Sequence, residues 1–219
     1  GFILSGSVPS ATAASLYTFI ANGTVLLSVT MSVVDTLISP MITPLLLELA
    51  VGHLIPIEFL PMIIRMLLIV ALPIAVGLFV QAKVSQWVEK VRPSIRFLSS
   101  VALILIVLSV VSGSQQHLKE NIGVLPLLAF LTVLQILIPM FAAYGMAKGM
   151  KIHEQDARAI LYEAGLCNTA LAAILAIENI SYLAAVPAVI NTVLNLSLGA
   201  LIAAILAKRE WRNSEAVDS

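Results

Sequence analysis

The sequence has few charged residues, and this scarcity excludes most soluble protein classes. Charged residues make up 11% of its 219 residues and apolar residues 60%, whereas soluble domains carry about 25% charged residues. The mean hydropathy is +1.04. The formal net charge is zero, and the basic residues lie near the ends of apolar segments, so no basic patch indicates a nucleic-acid partner. The chain is therefore predicted to be an integral membrane protein.

Side chains suited to catalysis or metal binding are also scarce. The one cysteine, Cys167, cannot form a disulfide within the chain. The three histidines lie far apart, and no His-x-x-x-His or Cys-x-x-Cys spacing is present. Asp35 and Glu163 are the acids well inside apolar segments, and an intramembrane protease with two acids sharing a proton stays a minor alternative. The chain is predicted not to be an enzyme.

Long apolar runs predict the fold class. A helix needs about 20 residues to cross the hydrocarbon core. No run alternates with the period of two that barrel strands show, so we predict an all-α membrane protein. Residues 1–21 form a weaker segment interrupted by Gly6 and Pro9, and we expect the chain to lack its natural beginning. The predicted spans are 25–47, 60–81, 95–113, 123–147, 157–177 and 184–207.

The distribution of basic residues predicts an orientation, because lysine and arginine accumulate in cytoplasmic loops. One side of the membrane receives ten of them if all six spans cross, and the other side receives Lys119 and Arg65. The C-terminus is therefore expected in the cytoplasm of a multi-pass protein, in a plasma membrane of bacterial type. The ten residues are Lys83, Lys90, Arg92, Arg96, Lys148, Lys151, Arg158, Lys208, Arg209 and Arg212.

Glu163 is the most informative residue, because it lies inside an otherwise uncharged apolar stretch. A carboxylate buried in lipid is costly, and such residues often mark an ion or proton path. Gly165 and Asn168 follow closely and favour an interrupted helix, as Pro9 does near the start of the chain. Paired interrupted helices are typical of secondary transporters, which bind substrate and ions at the breaks.

Three polar residues of the first long span recur on one helix face. Ser28, Ser32 and Asp35 occupy positions i, i+4 and i+7. Asp35 is a possible proton or cation site, together with Glu163 or by itself. A role in helix packing or a bond to a backbone amide is the alternative for Asp35.

The two interrupted segments resemble the bile acid:sodium symporter family. That family has a Pro-Gly-Gly-Thr-Ala-Ser-Asn-like motif at one helix crossover and Glu-x-Gly-x-Gln-Asn at the other. The matching stretches are Pro9-Ser10-Ala11-Thr12-Ala13-Ala14-Ser15 and Glu163-Ala164-Gly165-Leu166-Cys167-Asn168. The resemblance covers residues 5–207 and implies part of a ten-span bundle of two inverted repeats, with two broken crossover helices.

The resemblance also divides the chain. Residues 1–52 correspond to core spans four (partial) and five, and residues 53–118 to a panel-type helix pair. Residues 119–208 correspond to core spans eight to ten, and residues 209–219 to a cytoplasmic tail. Three spans and the start of a fourth would precede residue 1.

The resemblance implies two sodium positions. Ala14 has no side-chain ligand and Cys167 replaces a glutamine, while sodium prefers oxygen ligands, so both positions lose ligands. The first comprises Ala14, Ser15, Ser28, Ser32 and Glu163; the second comprises Glu163, the carbonyls of Ala164 and Leu166, Cys167 and a further residue in the part that would precede residue 1.

Substrate contacts are expected at Pro9, Thr12, Asn168 and Asn195, although a hydrogen bond between helices is the first interpretation of Asn195. No lysine or arginine lies at the centre of a span to neutralise an anion, so the positive charge of a bound cation has to attract the substrate. We therefore expect sodium-coupled symport of a small organic anion across the lipid bilayer. A proton-coupled or uncoupled anion permease, or a non-transporting membrane subunit, remains an alternative.

Overall fold

The computed structural model describes residues 1–52, 59–120 and 122–215. Within these ranges the chain forms eleven α-helices, and the strand-type pairing consists of one isolated bridge. The prediction of an all-α protein is confirmed. The helices are α1 (Phe2–Ser7), α2 (Ala13–Ile20), α3 (Val25–Val51), α4 (Phe59–Met66), α5 (Leu72–Lys83), α6 (Ser85–Gly113), α7 (Gln115–Glu120), α8 (Leu125–Gly149), α9 (Glu154–Gly165), α10 (Thr169–Asn179) and α11 (Tyr182–Glu215), with a π-helical turn at Leu67–Ala71 and a 3₁₀ turn at Ile122–Val124.

Five helical stretches in the described ranges are long and apolar enough to cross a membrane, and they match five of the six predicted spans. Large apolar side chains cover their outer surfaces; Leu26, for example, is 77% exposed. Such a surface suits contact with lipid, as expected of a multi-pass membrane protein. The stretches are Val25–Val51, Phe59–Lys83, Pro93–Gly113, Ile122–Gly149 and Tyr182–Lys208.

The remaining predicted span, residues 157–177, is interrupted, and so is the N-terminal segment. Residues 8–12 separate α1 from α2, and residues 166–168 separate α9 from α10. The two interruptions run antiparallel, and each satisfies backbone groups that the other leaves free. The Ala11 amide donates to the Leu166 carbonyl at 2.8 Å, and the Asn168 amide donates to the Pro9 carbonyl at 2.8 Å. Four helix ends therefore meet at one point inside the protein.

Close packing positions α9 beside α8. A Cβ atom at Gly165 would lie 2.7 Å from the Met140 Cβ, so the end of α9 depends on glycine to approach α8. Tyr162 and Met140 are fully buried in the same apolar cluster. This contact fixes the helical turn that precedes the second interruption.

The helices α4 to α6 contact the rest of the protein mainly at one end. Met62, Met66 and Val110 are buried at that end, where Arg65 donates to the Asn179 side chain at 3.1 Å. No residue of α5 is buried. The opposite end of these helices, where α5 is followed by α6 near Val84, therefore lies apart from the other helices.

The C-terminal segment is more helical than its polar composition indicates. α11 continues through Glu215, into the predicted tail of residues 209–219. Residues 216–219 lie outside the described residues, as do residues 53–58, where the predicted helix pair begins.

Candidate functional site

Glu163 lies in the last turn of α9 and is 8% exposed. The Ser28 hydroxyl, from α3, donates to its Oε1 atom. The Ser15 hydroxyl, from α2, lies 3.0 Å from that of Ser28. An ionised carboxylate can only accept hydrogen bonds, so the single Ser28 proton goes to Glu163, and Ser15 donates to Ser28. Three predicted cation ligands thus form one connected group.

Ser32 and Asp35 meet the first interruption through the same face of α3. The Ser32 hydroxyl lies 3.1 Å from the Ser10 hydroxyl. The Ser10 amide donates to Asp35 Oδ2 at 2.6 Å, which is the backbone-amide bond considered for Asp35 from the sequence. Asp35 also lines a cavity of about 470 Å³ together with Glu163 and Ala164. The carboxylate therefore holds the interruption and also faces the space beside Glu163.

Two residues of the second predicted sodium position, Leu166 and Cys167, take part in hydrogen bonds within the protein. The Leu166 carbonyl accepts the Ala11 amide. The Cys167 carbonyl accepts the Asn195 side chain at 2.9 Å, and the Cys167 sulfur accepts the Asn191 side chain at 3.4 Å. The thiol thus serves as a hydrogen-bond acceptor within the core, and sulfur suits sodium poorly.

Three of the four predicted substrate residues line one cavity. Thr12, Asn168 and Asn195 surround about 180 Å³, together with Leu103 of α6. Pro9 is not among the residues that line it, and its carbonyl accepts the Asn168 amide instead. The Asn168 side chain also accepts the Leu171 amide at 3.1 Å, which caps α10.

Sequence reasoning missed two hydroxyl groups of this cavity. Thr169 and Thr192 both line it, and their hydroxyls are 2.9 Å apart. Thr192 precedes Asn195 by three positions, which places both on one face of α11. The sequence could therefore have predicted that Thr192 lies beside Asn195.

A polar network at the opposite end of α9 was also missed. Arg158 is 5% exposed, and its Nη1 atom donates to the Ala21 carbonyl at 2.6 Å, at the end of α2. Burial raises the pKa of the Glu154 carboxyl, but hydrogen bonds from Lys148, Tyr144 and Arg158 outweigh it and lower that pKa to about 2. The network joins α8 and α9 to the turn between α2 and α3.

Comparison with known proteins decides the family. The profile of the SBF-like CPA transporter family matches residues 1–208, which include both interruptions and the Glu163 site. The chain belongs to the SBF-like CPA transporter family. This confirms the resemblance drawn from the two motifs. Members of the family and the relatives below are transporters, which supports the expectation that the chain is not an enzyme.

Curated relatives of this SBF-like chain come from bacteria and plants. The "uncharacterized sodium-dependent transporter YocS" of Bacillus subtilis (strain 168) is 32% identical over 95% of this chain and 64% of its own length. The "probable sodium/metabolite cotransporter BASS2, chloroplastic" of Oryza sativa subsp. japonica is 28% identical over 97% of this chain and 49% of its length. The "probable sodium/metabolite cotransporter BASS1, chloroplastic" of Arabidopsis thaliana is 29% identical over 98% of this chain and 52% of its length. The chain thus spans half to two thirds of these relatives.

Proposed function

We propose that the protein is a secondary active transporter that couples sodium entry to uptake of a small organic anion. The observation that carries this proposal is the Glu163 carboxylate, which lies where two interrupted helices meet and is bonded to Ser28. Carboxylate and hydroxyl oxygens are suitable ligands for a hard cation. The names of the bacterial and plant relatives include sodium, which supports sodium as the coupling ion.

The cavity around Asn195 is the proposed substrate site. Among the described residues that line it there is no lysine or arginine, so an anion there depends on other sources of positive potential. The α10 N-terminus at Thr169 supplies a partial positive charge, and a cation at Glu163 would supply a full one. Cation binding would therefore raise the affinity for the anion, and that coupling is what symport requires.

The ten-span, inverted-repeat architecture belongs to this proposal. Residues 1–52 and 119–208 would form the core, and residues 53–118 the helix pair that moves relative to it. The pair packs at its Met62 end and lies apart near Val84, which supports an opening on the Val84 side. The positive-inside rule makes that side cytoplasmic, with the C-terminus there, in a plasma membrane.

The test is tracer uptake by the full-length protein in liposomes. A panel of labelled carboxylates and sulfonates is offered under sodium, potassium or proton gradients. We expect uptake under the sodium gradient and its loss in Glu163→Gln. The matched control is Glu178→Gln, the same change at an exposed position of α10, which should transport normally.

Other outcomes would contradict the proposal in different ways. Equal counterflow without sodium would indicate an uncoupled permease, and dependence on the proton gradient alone would indicate proton coupling. Absence of uptake for every probe, in folded protein, would favour a non-transporting subunit.

A further inference from the structure

The helix α6 is longer than its apolar part. It comprises 29 residues, Ser85–Gly113, whereas the stretch that is apolar enough to cross a membrane begins at Pro93. At about 1.5 Å per residue, Pro93–Gly113 extends about 32 Å, close to the hydrocarbon thickness of about 30 Å. Residues 85–92 add about 12 Å. The first two turns of α6, and the end of α5 beside them, therefore lie at the depth of the lipid headgroups.

Positive charge is concentrated at this end of α5 and α6, here called the Val84 end. Within residues 83–96 four basic residues accompany one acid, Glu89, which gives a net charge of +3. The whole chain has a net charge of zero, so the excess is local. The four basic residues are Lys83, the last residue of α5, and Lys90, Arg92 and Arg96 of α6.

The two lysines of the Val84 end are accessible to a ligand outside the protein. Lys83 and Lys90 are both exposed, and neither forms an ion pair with a carboxylate of the described residues. Basic residues of α8 and α9 differ, since Lys148 binds Glu154 at 2.8 Å and Arg158 is 5% exposed. The charge of Lys83 and Lys90 is therefore not used to hold the described helices together.

An exposed aromatic ring lies next to each lysine. Trp87 is 59% exposed and precedes Lys90 by three positions, which places both on one face of α6. Lys83 Nζ lies 6.0 Å from the centre of the Phe79 ring, which is 65% exposed. Tryptophan is enriched where acyl chains meet headgroups. The ligand that fits the Val84 end thus combines negative charge with an apolar part.

Anionic phospholipid has both properties, and it lies at the required depth. A nucleic acid would match the charge but not the exposed rings of Trp87 and Phe79. The positive-inside rule places the Val84 end in the cytoplasm, where the membrane leaflet carries anionic lipid. The packing also agrees, because no residue of α5 is buried and the Val84 end lies apart from the other described helices.

We propose that the Val84 end binds anionic phospholipid, with the ammonium groups of Lys83 and Lys90 toward the lipid phosphates and Trp87 among the headgroups. A basic residue near the surface raises affinity for an anionic membrane about fivefold, the equivalent of about 1 kcal/mol. The bound lipid would attach the free end of α5 and α6 to the membrane surface. Such binding does not depend on what the protein transports.

The test is quenching of Trp87 fluorescence by brominated lipids in liposomes that contain the full-length protein. Trp87 is kept as the only tryptophan, with Trp211 and any other replaced by phenylalanine. Brominated phosphatidylglycerol is compared with brominated phosphatidylcholine at equal mole fractions. We expect the anionic lipid to associate with the Trp87 surroundings about fivefold or more in preference to the zwitterionic one. About 1 M salt should remove this preference, because it reduces the screening length to about 3 Å.

The double variant Lys83→Gln/Lys90→Gln should bring the ratio of the two association constants close to one. The matched control is Lys151→Gln/Lys208→Gln, which removes two other exposed lysines from the same predicted side and should keep the preference. Equal quenching by the two lipids before any lysine is replaced would overturn the proposal. An equal loss of preference in both double variants would also overturn it, because the total charge and not the Val84 end would then attract the lipid.

Discussion

Replacing Gly165 with alanine is expected to displace α9 from α8 next to the Glu163 site. The added Cβ would lie 2.7 Å from Met140 Cβ, 2.8 Å from Met140 Cγ and 3.1 Å from the Ile136 carbonyl oxygen. Carbon atoms pack favourably at about 3.5–4.0 Å. Met140 is completely buried, so it has no solvent-filled space to move into. One of the two helices therefore has to shift by about 1 Å.

The size of the effect follows from two opposing terms. Overpacking of a core costs about 1–3 kcal/mol, while alanine is favoured over glycine in a helix interior by up to about 1 kcal/mol. Gly165 is the last residue of α9, so it gains less than this. We expect a net loss of about 1–2 kcal/mol, or about 2–8 °C in melting temperature for a chain of this size.

The assay is the fraction of monodisperse protein that remains after heating in detergent. The matched control is Gly145→Ala in α8, where an added Cβ meets no heavy atom within 4 Å, and its melting temperature should stay constant or rise. The proposed sodium-dependent uptake, measured per folded molecule, should also fall in Gly165→Ala, because the shift moves Glu163. Equal melting of the two variants would refute the close approach of α9 to α8.

Three further predictions concern other parts of the protein. Arg158→Gln should lower the free energy of unfolding by about 1–3 kcal/mol, because the buried Ala21 carbonyl loses its donor; thermal melting at neutral pH measures this. The pKa of Glu154, about 2, lies below its ordinary value of 4.5, so its stabilisation is present above pH 4.5 and is lost as the pH falls through about 2. Melting temperature against pH should show this loss, and Glu154→Gln should lack it. If Asn195 contacts the proposed organic anion, Asn195→Leu should raise the KM for that substrate in uptake assays, whereas Ser197→Ala, which removes a bond to the Val193 carbonyl of the same helix, should not.

The spans were predictable because lipid imposes a local requirement on composition. The predicted span 25–47 corresponds to the helix Val25–Val51, and the predicted span 123–147 corresponds to the helix Leu125–Gly149. The start of α6 differed more, since the helix begins at Ser85 while the predicted span begins at residue 95. Hydropathy marks what can lie in lipid, whereas a helix continues into polar sequence as long as its backbone bonds persist.

Part of the site was also predictable. Glu163 was notable as an acid in an apolar segment, and the spacing of Ser28 and Ser32 placed them on one helix face. Gln135 and Asn191 carry no such signal, because an isolated amide in a span looks the same in sequence whatever it binds. The tertiary structure gives their partners, since Gln135 donates to the Phe2 carbonyl and Asn191 to the Cys167 sulfur.

The sequence by itself determined that the chain spans a membrane, where its helices are interrupted and which acids lie inside it, because these properties depend on composition and spacing within short windows. The tertiary structure decided that the two interruptions bind each other and that the oxygens of Glu163 face different surroundings. Ser28 and Glu163 are 135 positions apart, and no local pattern encodes a contact over that distance. It arises only when α3 and α9 pack together.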